Sequence, residues 1–600
     1  MSASVIRKKK RQSALEFILR TAIIYHGRRN IRYKNGHKSL VTEKKNMLDL
    51  RLVSPLAKIF PDRAPDSAPV LKKASALRGE KYSFQLAYSS TLFIPGNMKL
   101  DVAESPLKPF IRCRRVVNVV TARMGDVVMR TPEEQARFER FTPGLFPDLL
   151  KDDVATRLYS DPTVWYAVWV EVDIPKDFKA GKYTLTFTLH ESDEESKTVK
   201  LDLEVIGAML PPQLLTHTEW FYCDCLAQAY NVAPWSPKFW KILEKYLKNF
   251  VAHGINMLYT PIVTPALDTA VGGERLTTQL VKVTRTKGKY SFDFTNLKRW
   301  IRLAKKCGVQ YFEMSHLFSQ GGAKYSPKVV ADVDGKKDQR IFGWDVEALS
   351  PAYKKFLNAM LPELVAVLKS EGVAEDCYFH ISDEPAGEHV AQYKAVSAIV
   401  HKHVKGFRVL DAASHTEYYT EGLVALPVPC EHHLLDFLPL DMPERWTYYC
   451  GGPDLPYSNR IHCMPASANR IMGTLLYIYE VEGFLHWGYN FWNRGNSGIY
   501  CDPMSCEPDT GYHSGDQFLV YPGPEGPLDS IRSEVFYAGL QDQRAYQLLE
   551  SLAGRDAVLK LIRKTAGKDL AINDFPLDLT FLHKLRDAVN NAIKKYLSRA

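Results

Sequence analysis

The sequence has no hydrophobic run long enough to cross a membrane. No uninterrupted apolar stretch approaches the ~18 residues that a membrane-spanning helix needs. After the basic run Arg7-Lys8-Lys9-Lys10-Arg11, Glu16 and Arg20 interrupt the apolar stretch, whereas a secretion signal keeps roughly 7–15 apolar residues together. We therefore expect a protein without an integral membrane segment, located in the cytoplasm.

The sequence also has no cysteine pair spaced for a zinc or redox site. None of its 10 cysteines forms a C-x-x-C motif. Cys223 and Cys225 lie in an apolar, strand-like run, so both are expected to be buried free thiols. Histidine, cysteine and acidic residues nowhere cluster with the spacing of metal ligands. The sequence predicts neither a metal nor a cofactor.

Excess positive charge is missing from most of the chain, although the net charge is +10. Residues 1–46 hold 13 Lys/Arg and only Glu16 and Glu43, a net +11, so residues 47–600 sum to 10 − 11 = −1. A neutral body offers no groove for a phosphate backbone, and we expect no nucleic-acid partner. The basic segment is interpreted as a disordered extension, although a short basic arm can also touch nucleic acid or an anionic membrane.

The composition is that of a soluble globular protein, with 46% hydrophobic and 24% charged residues. A chain of 600 residues is too long to fold around one hydrophobic core, so two or three domains are expected. Alternation of period two dominates residues 82–210 and indicates strands, clearest over residues 82–88, 164–172 and 183–189. Pro211-Pro212 ends this pattern. We predict an N-terminal antiparallel β-sandwich domain over residues 47–212.

After Pro212, strands and helices alternate. Eight strand candidates begin at Glu219, Ile255, Val309, Cys377, Phe407, Leu426, Trp446 and Gly483. Amphipathic helices lie between them, clearest over residues 237–252, 297–306, 353–370 and 388–401. Eight such units in about 275 residues predict an α/β fold, a (β/α)₈ TIM-type barrel. A doubly wound sheet is the alternative, but no Gly-rich phosphate motif follows the first strand. We place the barrel at 213–527 and C-terminal helices at 528–600.

Two adjacent acids end the fourth strand candidate. In a TIM barrel, functional side chains lie at the C-terminal ends of strands, and this is where Asp383 and Glu384 fall, before Pro385. Two carboxyl groups in one enclosed pocket raise the pKa of one of them, as a general acid requires. The alternative is a solvated acidic turn before the next helix. The position at the end of a buried strand favours catalysis, and we predict that this pair is catalytic.

The adjacency of the two acids also constrains the mechanism. Retaining glycosidases usually place an acid and a nucleophile about 5–5.5 Å apart on different strands, whereas neighbours on one extended segment point in opposite directions. Adjacent acids suit a mechanism in which the 2-acetamido oxygen of the substrate attacks the anomeric carbon. Glu384 would protonate the leaving oxygen and later activate water. Asp383 would orient the acetamido N–H and stabilise the oxazoline ring.

The segment His380-Ile381-Ser382-Asp383-Glu384-Pro385 resembles the signature of glycoside hydrolase family 123. Further matches occur at residues 220–227, 260–269, 316–318, 341–344, 458–460, 483–492, 514–516 and 520–523. The resemblance covers roughly residues 60–550 and implies a retaining β-N-acetylgalactosaminidase that uses acetamido participation. The sequence departs from the family pattern at Gly321-Gly322, where Trp-Gly is expected, and at Tyr222, where His is expected. An aromatic platform for the sugar would be missing at residue 321.

Other polar and aromatic residues near predicted strand ends are candidates for substrate binding. They are Asp224, His316, Asp411, Tyr449, Trp487 and Asn490. Such groups can bind sugar hydroxyls or stack on a sugar face. The structural alternatives are a core histidine for His316 and, for Asp411, a cap of the following helix or a contact that holds a loop. By alternation Trp487 and Tyr489 share one face, and Tyr448 and Tyr449 oppose one another.

Three carbohydrate-related functions remain open at this level, beside a nucleic-acid-associated protein recruited by the basic segment 1–46. The first is a hydrolase of terminal β-linked N-acetylhexosamine, which the Asp383-Glu384 pair favours. The second is a glycosidase of the same fold that acts on another β-linked sugar, because the fold alone does not define the substrate. The third is a carbohydrate-binding protein without catalysis, which an aromatic-lined barrel could also be. A carbohydrate or glycoconjugate partner is common to all three.

Overall fold

The computed structural model describes residues 47–505 and 511–598. The basic segment 1–46, predicted to be disordered, lies outside the described residues. Residues 47–600 form one compact unit. None of the described helices combines the length and the apolar composition needed to cross a membrane.

The N-terminal region forms two five-stranded sheets. Its elements are β1 (Asp49–Val53), β2 (Lys73–Arg78), β3 (Lys81–Ser89), β4 (Ile94–Val102), β5 (Ile111–Thr121), α1 (Pro132–Gln135), β6 (Gly144–Lys151), β7 (Leu158–Ser160), β8 (Tyr166–Asp173), β9 (Gly181–His190) and β10 (Ser196–Met209). The strand orders are β1-β3-β8-β5-β6 and β2-β10-β9-β4-β7. Alternate residues of both sheets, among them Phe84, Leu86, Leu185 and Phe187, are buried in one shared core.

The predicted antiparallel pairing holds for these sheets except between β2 and β10, which are parallel. Parallel neighbours need a long crossover connection. Here the chain passes through seven other strands between Arg78 and Ser196, so the period-two pattern of each strand could not reveal their relative direction.

The second region contains fourteen described strands. They are β11 (Thr216–Glu219), β12 (Met257–Thr260), β13 (Lys282–Thr286), β14 (Lys289–Asp293), β15 (Tyr311–Met314), β16 (Val329–Val333), β17 (Lys336–Phe342), β18 (Cys377–Phe379), β19 (Arg408–Ala412), β20 (Leu426–Val428), β21 (Trp446–Tyr448), β22 (Gly483–His486), β23 (Val520–Gly523) and β24 (Gly526–Asp529). Eight of them form a parallel sheet in the order β20-β19-β18-β15-β12-β11-β22-β21. A parallel bridge between Cys430 and Tyr448 joins its ends, so the barrel is nearly closed.

All eight predicted barrel strands are present, but the first begins earlier than expected. β11 ends at Glu219, and Cys223–Ala229 is a helix rather than a strand. Cys223 and Cys225 are therefore on a helix, where both are buried and free as predicted. A short buried helix has no polar face, so its sequence does not differ from that of a buried strand.

The described helices of this region include the four that the periodicity predicts. They are α2 (Cys223–Ala229), α3 (Pro237–Ala252), α4 (Thr295–Cys307), α5 (Pro351–Ser370), α6 (Val390–His401), α7 (Glu417–Thr420), α8 (Leu434–Phe437), α9 (Ala466–Arg470), α10 (Met472–Ile478), α11 (Ile531–Ala553), α12 (Arg555–Ala566) and α13 (Phe581–Leu597). The hydroxyl groups of Ser236 and Ser350 cap α3 and α5 by accepting backbone N–H groups of the first turn. Gly308 ends α4 in the left-handed conformation, at φ 100°.

Two small sheets were not predicted. β13, β14, β16 and β17 form a four-stranded sheet, and β23 pairs with β24. The strands of the first sheet are inserted in the connections that follow β12 and β15, at the end of the barrel where side chains from strand ends meet. These strands are short, and β14 and β17 are mostly exposed, so they carry little periodic signal.

Helices α10 and α11 cross with their backbones in close contact at Gly473 and Gly539. A Cβ atom at Gly473 would lie 1.8 Å from the carbonyl oxygen of Gly539. Gly473→Ala is expected to lower the free energy of unfolding by about 3 kcal/mol, since overpacking of this kind forces the helices apart. Denaturant unfolding measures the loss. Ser551→Ala, at an exposed position of α11, is the control and is expected to change stability by less than ~0.5 kcal/mol.

Candidate active site

A cavity of about 490 Å³ opens at the C-terminal ends of the barrel strands. Its lining residues are Trp220, Asp268, Gln320, Asp383, Glu384, Ala412, Tyr448, Cys450, Gly451, Leu485, Trp487, Asn496, Gly511, Tyr512, His513 and Asp516. Five of the eight barrel strands contribute residues at or just beyond their ends. A volume of this size, with aromatic walls and a few polar groups, is typical of a small-molecule site.

Asp383 and Glu384 both line this cavity, so the prediction that they point in opposite directions is wrong. β18 ends at Phe379, and the chain bends at residues 383 and 384, with Glu384 in the left-handed region at φ 44°. The bend removes the strand alternation on which that prediction depended. A non-glycine residue in this conformation is strained, and such strain is found at functional sites.

Backbone hydrogen bonds from both neighbouring strand ends hold the bend in place. The carbonyl oxygen of Asp383 accepts the N–H of Gly321, which follows β15, at 3.0 Å. The N–H of Glu384 donates to the carbonyl oxygen of Ala412, the last residue of β19, also at 3.0 Å. Gly321 and Gly322 both have positive φ, and a Cβ on Gly322 would lie 2.6 Å from the His389 ring. Residue 322 is therefore restricted to glycine.

The two acids have different environments. Asp383 is 4% exposed, and its Oδ2 accepts the side-chain N–H of Gln320 at 2.9 Å. Burial, and then the negative charge of Glu384, raise the pKa of the Asp383 carboxyl well above its usual range. Glu384 is exposed, and its Oε1 accepts the Tyr448 hydroxyl at 2.5 Å. Asp383 is thus enclosed within the cavity, and Glu384 lies at the cavity mouth.

Asp268 and Asp516 are two further acids of the cavity that were not predicted. The hydroxyl of Tyr222 donates to Asp268 at 2.5 Å, and the Trp487 indole N–H donates to Asp516 at 3.0 Å. Burial raises the pKa of Asp268 to about 6 and that of Asp516 to about 7. Both acids belong to segments that resemble family 123, and that resemblance was the available signal. Neither lies at a barrel strand end, so the expectation that functional side chains lie at the C-terminal ends of strands did not identify them.

The raised pKa of Asp516 makes stability depend on pH. The unfolded pKa is about 3.9, so between pH ~4 and ~7 the folded protein keeps a proton that the unfolded chain has lost. The free energy of unfolding therefore falls as pH rises through this window, and the loss is complete above the folded pKa. Asp516→Asn cannot ionise, and it should gain stability relative to the wild type by roughly 2–3 kcal/mol between pH 5 and pH 8. Denaturant unfolding at both pH values tests this. The exposed Asp193→Asn variant should show no such difference, and an equal response of both variants would contradict the assignment.

Among the candidate binding residues, Trp487 lines the cavity, whereas three others make structural contacts outside it. Both Asp224 oxygens accept N–H groups of buried Arg275, at 2.7 and 2.8 Å. The Asn490 amide bonds the backbone N–H and carbonyl of Tyr222, at 2.8 and 3.1 Å. Tyr449 is fully buried in the core beneath the barrel wall. Their side chains are occupied or enclosed, so we correct their predicted contact with substrate.

The opposed orientation of Tyr448 and Tyr449 was predicted, but the choice of Tyr449 for the cavity was wrong. Tyr448 faces the cavity because β21 closes the barrel through the bridge between Tyr448 and Cys430. Tyr449 instead packs against Phe484 and His486. Alternation gives two faces, and only barrel closure decides which one is inside.

His316 and Asp411 also lie outside the cavity lining and support the catalytic loop from below. Asp411 accepts the backbone N–H groups of Ile381 and Ser382, at 3.0 and 3.2 Å, directly before Asp383. The His316 ring stacks on His380 with centroids 4.1 Å apart, and its Nδ1 bonds a tyrosine hydroxyl. Both residues position the loop and lie outside the cavity lining, so the structure does not place them for the predicted binding role.

His316, His380 and Asp411 are close enough together to bind a metal ion. However, both ring nitrogens of His380 already bond carboxylates, Nδ1 to Asp411 at 2.8 Å and Nε2 to Glu313 at 2.5 Å. Burial acts to lower the pKa of His380, but Glu313 and Asp411 raise it to about 9. A ring protonated on both nitrogens has no lone pair for a metal. This cluster is better described as a buried ionic network.

The N-terminal sheets contribute to the shape of the cavity through Arg532. Asp148 of β6 accepts a bidentate pair of hydrogen bonds from Arg532, at 3.1 and 2.9 Å. Arg532 in turn donates to the carbonyl oxygens of Gly515 and Phe518, on either side of Asp516. The N-terminal sheets therefore hold the loop that carries one of the cavity acids.

Comparison with known proteins agrees with this architecture. The model of the glycoside hydrolase 123 catalytic domain matches residues 220–549, more than half of the chain. A family 123 glycoside hydrolase from Clostridium perfringens has a TM-score of 0.72 and 15% identity, covering 92% of this chain and 100% of its own. A Bacteroides ovatus GH5 xyloglucanase has a TM-score of 0.27 and 8% identity, with 82% and 100% covered, which carries no argument. No curated protein matches.

The family match includes both acids of the pair, both additional cavity acids and seven of the eight barrel strands, since β11 lies just before it. The likeness to the C. perfringens structure extends the common fold to the N-terminal sheets. A carbohydrate substrate follows from the family. This chain is a member of glycoside hydrolase family 123 and a glycosidase.

Proposed function

We propose that this glycosidase removes terminal β-linked N-acetylhexosamine, with β-N-acetylgalactosaminides as its substrate class. It would retain anomeric configuration through participation of the 2-acetamido group. The observation that carries the proposal is the unequal pair in the cavity. Asp383 is buried and held by an amide, while Glu384 is exposed at the mouth and held by the Tyr448 hydroxyl.

The exposed acid suits proton transfer to the leaving group. As the acetamido oxygen attacks the anomeric carbon, the glycosidic bond breaks and Glu384 donates its proton to the leaving oxygen. Glu384 then removes a proton from water, which adds to the anomeric carbon and opens the oxazoline. The mouth of the cavity is where the leaving group departs and water enters, so one group can serve both steps.

The buried acid suits the acetamido group. Gln320 occupies one Asp383 oxygen, and the other can accept the acetamido N–H, which directs the acetamido oxygen toward the anomeric carbon. A carboxylate there also stabilises the positive charge that develops on the oxazoline ring. The low exposure of Asp383 strengthens this electrostatic effect, since little water screens it.

Aromatic side chains surround the space where the sugar would lie. Trp220, Tyr448, Trp487 and Tyr512 line the cavity, and the Trp487 and Tyr512 rings are 4.9 Å apart. Such rings pack against the apolar face of a sugar. The C. perfringens relative is described for hydrolysis of glycolipid glycans, which supports a glycoconjugate as the substrate.

A panel of aryl glycosides tests the proposal. The protein is expected to cleave aryl β-GalNAc or β-GlcNAc and to be inhibited by a thiazoline analogue of the oxazoline. The aryl β-galactoside lacks the acetamido nucleophile and should react at least about a hundredfold more slowly, because the attacking group is then no longer supplied within the substrate. Comparable rates on the galactoside would rule out acetamido participation, and inversion of the released sugar would rule out retention.

A further inference from the structure

The cavity is strongly acidic. Among the described residues that line it, four are acids, namely Asp268, Asp383, Glu384 and Asp516, and none is lysine or arginine. Three of these acids are buried, with exposed fractions of 8% for Asp268, 4% for Asp383 and 0% for Asp516. The proposed mechanism uses Asp383 and Glu384 only. It leaves Asp268 and Asp516 without a chemical role.

The nearest arginines offset only part of this charge, because each is paired with another buried acid. Arg275 lies 5.1 Å from the centroid of the Tyr222 ring and bonds both oxygens of Asp224. Arg460 donates to Glu219 at 2.7 Å, and its other nitrogen bonds the Gly488 carbonyl at 2.8 Å. Both guanidinium groups are therefore neutralised within the protein. They offer no free positive charge to a ligand.

Asp268 and Asp516 nevertheless keep acceptor capacity. Tyr222 donates to one oxygen of Asp268. Trp487 donates to one oxygen of Asp516, and the other oxygen of Asp516 bonds His486 at 3.2 Å. A carboxylate has about four acceptor sites, so each group can also accept hydrogen bonds from sugar hydroxyls. The raised pKa values of about 6 and about 7 reflect first the cost of burying each carboxylate and then the negative charge of its neighbours. A further anion in the cavity would add to that cost.

We propose that Asp268 and Asp516 are specificity-determining residues that restrict the bound terminal sugar to uncharged N-acetylhexosamines. They accept hydrogen bonds from neutral hydroxyl groups and repel a sugar that carries sulfate or carboxylate. This inference rests on the proposed function, because it concerns the sugar whose glycosidic bond is cleaved. It adds a contribution to the exclusion of anionic sugars beyond that of the acid pair, which the aromatic walls would not produce.

Sulfated substrates provide the test. For the wild type, kcat/KM on aryl β-GalNAc is expected to exceed that on its 4-sulfate and 6-sulfate derivatives at least a hundredfold. At pH 8, above the pKa values of both groups, Asp268→Asn and Asp516→Asn each remove one negative charge and keep the side-chain size, so at least one of them should reduce this ratio fivefold or more. Circular dichroism and thermal melting show that each variant is folded.

Glu388→Gln is the matched control. It removes one negative charge from an exposed position outside the cavity lining, so the ratio should stay unchanged. Cleavage of a sulfated substrate within tenfold of the unsulfated one by the wild type would overturn the proposal. An unchanged ratio in both asparagine variants would overturn the role of these two residues.

Failure of the proposed function gives a different result. If aryl β-GalNAc is not cleaved at all, the mechanism is wrong, and the charge selection is then measured by calorimetric binding of free GalNAc and GalNAc 6-sulfate. Tighter binding of the neutral sugar supports the inference independently of catalysis. Equal binding of the two sugars, or binding of neither, overturns it.

Discussion

Glu384→Gln is expected to lower kcat at least about a hundredfold on substrates with poor leaving groups, with little change in KM. Glutamine keeps the shape and the contact with Tyr448, but it cannot donate a proton to the leaving oxygen or take one from water. Steady-state kinetics on a series of aryl β-N-acetylhexosaminides measures the effect. The loss in the bond-breaking step should shrink as the leaving group becomes more acidic, because an acidic phenol departs without protonation.

The control for this prediction is Glu388→Gln, four residues further along the chain. Glu388 is exposed and does not line the cavity, so the same chemical change there should leave kcat and KM unchanged. Wild-type kcat in the Glu384 variant would show that another group transfers the proton. A uniform loss across all leaving groups would point to damaged geometry rather than to a missing acid.

Asp383→Asn is the second change expected to have a large effect. Asparagine retains a partner for Gln320 but removes the charge that stabilises the oxazoline, so kcat should fall at least about a hundredfold. The thiazoline analogue should also bind more weakly to this variant. Steady-state kinetics and inhibition constants measure both effects. Undiminished turnover would refute the assignment of Asp383.

The same residue should shape the pH profile of the wild type. Burial and Glu384 raise the pKa of Asp383, so the carboxyl stays protonated to higher pH than an ordinary aspartate. Since the mechanism needs the ionised form, activity should rise as pH increases through this raised pKa and be lost below it. The acidic limb of kcat/KM should therefore lie well above pH 4. A limb at the ordinary aspartate pKa would contradict the role of burial.

Much of the fold could be predicted from the sequence because its signals are local. The eight barrel strands and four of the helices follow from the periodicity of buried side chains, within a few residues of their observed bounds. The glycine after α4 and the serine before α3 mark helix ends through their own backbone and side-chain chemistry. The inserted sheet of β13, β14, β16 and β17 was missed because its strands are short and two of them, β14 and β17, are mostly exposed.

The candidate site was less predictable, because its lining comes from distant segments. Asp268 lies in the connection after β12, and Asp516 lies in the long connection after β22. Neither follows a barrel strand closely, and only tertiary contacts such as the link from Asp148 through Arg532 bring the second loop to the cavity. Asp224 is the opposite case. It is an acid near a predicted strand end, but it is bound by Arg275, and nothing in the sequence indicates that these two distant residues are partners.

The sequence by itself determined the barrel, the position of the Asp383-Glu384 pair after the fourth strand, and the resemblance to family 123. Periodicity and motif spacing suffice for these, since each depends on neighbouring residues. Only the tertiary structure decided that both acids face one cavity, with Asp383 buried and Glu384 exposed. The left-handed conformation of Glu384 and its backbone bond to Ala412 set this geometry, and strand alternation cannot anticipate a bend held by contacts from other strands.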